Sequence, residues 1–136
     1  MPERKTVERA RQDKREGKAP TTQAGEFVRE EIEHVREGKH GARSTKQAIA
    51  IGLSKARRAG VKLKPPKKGQ TSERTRKSAE RAYKAGQRAT KRKPSAKRSR
   101  ATSRALKREP KRAASHEALS KQARSAAARR RRGTSA

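Results

Sequence analysis

Cationic side chains are the residues of this sequence with the most chemistry to offer, and their spacing suits a surface that binds phosphates. Lys39, Arg43, Lys46, Lys55, Arg57, Arg58, Lys62, Lys64, Lys67 and Lys68 follow one another at short intervals. Lys91, Arg92 and Lys93 come next, then Lys97, Arg98 and Arg100, and near the end Arg129, Arg130, Arg131 and Arg132. All are candidate nucleic-acid-binding residues. The chain carries 42 Lys and Arg against 13 Asp and Glu, a formal net charge of +29 over 136 residues. Residues 1–37 hold nine bases and nine acids, so the excess lies entirely in the remaining 99, which have 33 bases and four acids: Glu73, Glu80, Glu109 and Glu117. Such a polycation repels itself in water. Duplex DNA presents about one phosphate per 1.7 Å and gains entropy as Lys and Arg displace its condensed counterions. Nucleic acid is the expected partner, with duplex DNA favoured over RNA.

The elements that position these cations are read from the apolar residues. Nine of the 14 large apolar or aromatic side chains lie between Phe27 and Leu63, which places the core there. Thr21 or Thr22 is positioned to cap a helix with Glu26, Glu30 and Glu31 in its first turns, where the helix dipole favours negative charge. Phe27, Val28, Ile32 and Val35 form its apolar face, and Gly38 ends it. Ser44 with Gln47 three residues on predicts a reciprocally capped second helix, with the stripe Ala48, Ile49, Gly52, Leu53 and Ala56. Gly60, with Val61 behind it, supplies a left-handed C-terminal cap. On this helix Lys55, Arg58 and Lys62 share one side and Lys46 and Arg57 another, away from Ile49 and Leu53. Lys39, Arg43 and the backbone donors near Ser44 and Thr45 form a candidate anion site at its start.

The expectation is therefore all-α: a small helical hairpin, residues 21–64, followed by a long basic tail that is largely disordered or helical only when its charge is neutralised. A charged N-terminal arm, residues 1–20, precedes the hairpin, with a short exposed helix ending at Gly17 and Val7 as its one apolar anchor. Pro65 and Pro66 open a Pro/Lys linker over 65–70, and residues 71–136 are low-complexity Lys, Arg, Ala, Ser and Thr, with Thr71 or Ser72 able to start a helix whose small face is Ala79, Ala82, Tyr83, Gly86 and Ala89. Tyr83, Leu106 and Leu119 stand too far apart to offset the ~1–2 kcal/mol per residue of backbone ordering. A fold of under ~40 residues usually needs a disulfide, a metal or a partner. With no cysteine, association is the expected support, either on nucleic acid or as a homodimer through the hairpin.

The runs Gly25-Glu-Phe-Val-Arg-Glu-Glu-Ile-Glu-His34 and Gly38-Lys-His-Gly-Ala-Arg-Ser-Thr-Lys-Gln-Ala-Ile-Ala-Ile-Gly-Leu-Ser-Lys-Ala-Arg-Arg-Ala-Gly60 resemble a family of small basic bacterial proteins of unknown function, sometimes labelled plasmid-stabilisation protein. The resemblance covers roughly the first half and implies no activity. The second half is similar in composition to linker-histone tails.

Other chemistry finds less support. Asn is absent, and Gln47 alone near a helix start offers the bidentate amide that reads adenine, so phosphate contact without sequence readout is expected. Phe27 and Tyr83 are the only aromatics, too few for a base-stacking platform. His34 and His40 have neither a Cys nor a second pair at ligand spacing, so no metal and no cofactor is expected. No Cys nucleophile or buried Asp/His pair suggests an enzyme. No run approaches the ~20 apolar residues of a membrane span, and Met1 to Lys18 holds no apolar signal segment. The expectation is a cytoplasmic, nucleoid-associated, histone-like DNA-binding protein. The alternatives are an RNA- or ribosome-associated protein, or a plasmid-maintenance or antitoxin-like interaction module.

Overall fold

The second helix of the hairpin begins where its capping residue stands. A computed structural model gives the structure for residues 2–88 and 95–134, and every regular element among these described residues is helical. Helix α2 spans Pro20–Arg36 and α3 spans Thr45–Arg58. The Ser44 hydroxyl accepts a hydrogen bond from the Gln47 amide at 3.2 Å. The Gln47 side chain reaches back to the Arg43 amide, one residue earlier than in a capping box. Helix α2 starts earlier than the threonines suggested: Pro20, whose ring fixes φ and which has no amide to satisfy, takes the first position. Helix α3 ends at Gly60, with φ of 103°, where the Gly60 and Val61 amides close back onto the Arg57 and Ala56 carbonyls.

Helix α1, Arg4–Arg15, lies along α2 and places Val7 and Ala10 in a cluster with Ala24, Phe27, Ala56, Val61, Leu53 and Leu63. The N-terminal segment is thus a packed part of the core. Thr6, within this helix, is buried and donates from its hydroxyl to Glu30. Helix α4, Glu73–Gln87, is capped by Ser72 and turns Ala79, Ala82 and Gly86 onto α3, and Gln87 donates to the Gly60 carbonyl at 3.3 Å.

The largest departure from expectation is the second half of the chain. Instead of a disordered tail, helix α5 spans Ala96–Arg108, a short 3-10 turn follows at Arg112–Ala114, and α6 runs over His116–Thr134. The apolar count missed the way in which this segment is held. Ala113 and Ala114 are buried in a second cluster with Val35, Ala42 and Ala48, small enough to bring the backbones into hydrogen-bonding range. The Gly41 amide donates to the Leu106 carbonyl at 2.8 Å, the Ala42 amide to Pro110 at 3.0 Å, and Arg36 to Ala114 at 2.8 Å. Thr45 donates from its hydroxyl to the Ala113 carbonyl. These bonds are buried or half-buried, each stabilising by about 1 kcal/mol and together offsetting ordering that apolar area alone does not.

The approach of α2 to α3 rests on Gly52. A Cβ at this position would lie 2.6 Å from the Val28 Cα, a backbone atom with no freedom to rotate away. Gly52→Ala is expected to force the helices apart and cost about 1–3 kcal/mol, read as a lowered denaturation midpoint. No change in midpoint would place the crossing elsewhere.

Candidate nucleic-acid interface

The start of α3 and the start of α6 meet in an open cleft of about 350 Å³. Arg43, Ser44 and Thr45 line it from one side, and Arg112, Ser115, Glu117 and Lys121 from the other. Two helix N-termini, each carrying roughly half a positive charge, therefore face the same space as three cationic side chains, with the Glu117 carboxylate as the one acid. This is anion-binding geometry. Of the residues expected at an anion site near Ser44, the cleft gathers some and not others. Arg43 is exposed beside the cleft, but Lys39 points to acids, 3.4 Å from both Glu3 and Glu37. Arg112 and Lys121 supply the missing charge from a segment that had no recognisable register.

The other candidate cations divide by environment. Lys46, Arg58, Lys62, Lys64, Lys67 and Lys68 are exposed along the end of α3 and the linker. Lys97, Arg98 and Arg100 are exposed on α5, and Arg129, Arg130, Arg131 and Arg132 on α6. Lys91, Arg92 and Lys93 lie outside the described residues. Two of the α3 candidates are turned inward. Arg57 is 8% exposed and donates to the Leu63 and Lys64 carbonyls at 3.1 and 3.3 Å, which folds the extended chain after Gly60 back against the helix. Burial lowers its pKa from the ordinary arginine value. Lys55 holds its ammonium on the fully buried carboxylate of Glu31.

Glu31 belongs to a polar network that sequence spacing does not reveal. Beside its carboxylate stand Lys55 on α3, His34 on its own helix and His40 on the connecting loop, with the His40 Nε2 3.1 Å from Oε2. Glu30, next in sequence, takes the Glu3 amide and the Thr6 hydroxyl. Glu3 in turn accepts from His34, at 3.1 Å, and from Lys39, and its carboxyl is held below the ordinary carboxylate range, chiefly by the His34 bond. The signal available in the sequence was the Glu-x-x-His step from Glu31 to His34, which puts both on one helix face. The acids of the N-terminal third are thus largely spent on internal partners.

Residues 11–68 match the model of a family of unknown function (DUF6496). The matched segment runs from within α1 through the hairpin to the linker, less than half the chain, and brings no activity with it. Neither a curated protein nor a solved structure matches the sequence. Among the described residues, no helix is long and apolar enough to cross a membrane.

Proposed function

We propose that this protein binds duplex DNA without sequence preference, through phosphate contacts, as a histone-like component of the nucleoid. The observation that carries the reading is the segregation of charge in three dimensions. Glu3, Glu30 and Glu31 are drawn into the α1–α2–α3 network, while the cations of the linker, α5 and α6 stay on the surface. On α4, Glu73 and Glu80 are matched by Arg76, at 2.8 and 3.7 Å, which leaves the neighbouring bases uncompensated. The cleft between α3 and α6 offers one phosphate position, and the exposed runs offer others. Base readout has little to work with here, since Gln47 spends its side-chain oxygen on the Arg43 amide.

The test is a fluorescence-anisotropy titration of a labelled random 30-base-pair duplex with the full chain, challenged by structured RNA at equal phosphate concentration. Retention of the duplex supports the proposal, as does indifference to a change of duplex sequence. Displacement by RNA overturns it in favour of an RNA-associated role.

A further inference from the structure

We propose that Glu31, His34 and His40 form a structural binding site for one divalent transition-metal ion, zinc by preference, which pins the N-terminal segment and the α2–α3 loop to the helical hairpin. The His40 Nδ1 lies 2.8 Å from the Gly41 carbonyl oxygen, which only accepts, so Nδ1 carries a hydrogen. The His34 Nε2 lies 3.1 Å from the Glu3 carboxylate, also an acceptor, so that nitrogen carries the other ring's hydrogen. The other nitrogen of each ring faces the Glu31 carboxylate: His40 Nε2 at 3.1 Å from Oε2 and His34 Nδ1 at 3.9 Å from Oε1. Two ring nitrogens and a carboxylate oxygen thus converge on one point, where a cation can be shared among them.

The surroundings are those of a metal site. One donor atom each from Glu31, His34 and His40 lies within 4.8 Å of the others, and donors around a tetrahedral zinc sit about 3.3 Å apart, so a small inward adjustment completes the shell. Two imidazoles and a carboxylate suit zinc among available divalent ions, with the fourth position left to water. Each histidine already has the outer partner that metal-bound histidines use, a carboxylate for His34 and a backbone carbonyl for His40, which fixes the ring and raises its basicity. Glu30 adds a buried acid next to the site: it is 4% exposed, forms an adjoining group with Glu3 and His34, and among the described residues its Oε2 has no hydrogen-bond partner. Glu3, Glu30, Glu31 and Glu37 against Lys5, Lys39 and Lys55 leave this neighbourhood net negative within a chain of net charge +29. A divalent cation is repelled by the rest of the surface and drawn to this point. The Lys55 ammonium rests on Oε1, which leaves Oε2 for the metal. A chain with no cysteine and a core rich in alanine thereby gains the cross-link that small folds need.

The experiment is zinc titration of the chelator-stripped full chain against a chromophoric competitor at neutral pH. One equivalent is expected. His40→Gln and His34→Gln should each weaken binding by at least about 100-fold, and Glu3→Gln, an outer partner, by about 10- to 100-fold. His116, exposed at the start of α6, is the internal control, and His116→Gln should leave the affinity unchanged. Circular dichroism of each variant checks that helix content is kept. Cobalt(II) on the unmodified chain gives a readout independent of any variant: the intense visible bands of a four-coordinate ion are expected. Absence of those bands overturns the proposal. So does zinc binding that the His34→Gln/His40→Gln double variant retains, or that His116→Gln weakens equally; either result would assign the network to imidazolium–carboxylate pairing alone.

Discussion

Raising the salt from about 50 to about 200 mM is expected to weaken binding of a 30-base-pair duplex by about 10⁵-fold, with log K falling against log salt at a slope near −9. The slope follows from about ten phosphates neutralised at 0.9 counterions each. The cations that would meet those phosphates are exposed. Lys62, Lys64, Lys67 and Lys68 are exposed on the chain that leaves α3, Lys97, Arg98 and Arg100 on α5, and Arg43, Arg112 and Lys121 at the cleft. Arg57 and Lys55 are excluded from the count, since their charged groups face inward. Little affinity should survive extrapolation to about 1 M salt, because the contributions that resist salt are missing. Phe27 is buried and Tyr83 half-buried, so no aromatic platform stacks bases. A slope shallower than about −3 would mean that few phosphates are engaged, and would sink the coating mechanism whatever the affinity.

What the sequence revealed was local, and what it concealed was long-range and made by small or polar residues. The Ser44 cap, the Gly60 terminus and the Phe27/Val35 face are decided within one or two helical turns, so spacing exposes them. The packing of α1 was concealed because two of the residues it buries are Thr6 and Asp13, which read as surface. The docking of residues 106–114 was concealed for a related reason. Its grip is a set of backbone carbonyls met by Arg36, Gly41, Ala42 and Thr45, with Ala113 and Ala114 small enough to allow the approach. Counting apolar area, as the disorder expectation did, assigns no value to such bonds. The same blindness affected the site: charge runs predicted cations at the α3 start, but only the fold could bring Arg112 and Lys121 beside Arg43, or His40 beside Glu31.

Phe27→Ala is expected to cost about 3–5 kcal/mol, the largest loss available from one side chain of this core. Phe27 is 1% exposed, and with Glu31 and Val35 it is among the largest side chains fully buried. Its cluster is built from Ala10, Ala24, Ala56 and Val61, with Val7, Leu53 and Leu63 at the margin. Alanines cannot reorient to fill a vacated ring, so the cavity stays open and the cost belongs to the upper part of the range. Total stabilities of small domains are about 5–15 kcal/mol, and a core in which alanine predominates belongs at the lower end, so the variant should be substantially unfolded near 37 °C. Urea denaturation checks this through a midpoint that falls while the slope holds, and Phe27→Leu should recover all but about 1.5 kcal/mol. A loss below about 1 kcal/mol would show that α1 and the hairpin are held together by something other than this cluster. The variant also separates fold from charge. DNA binding at low salt should persist in part, since phosphates are neutralised by exposed cations whose number is unaltered.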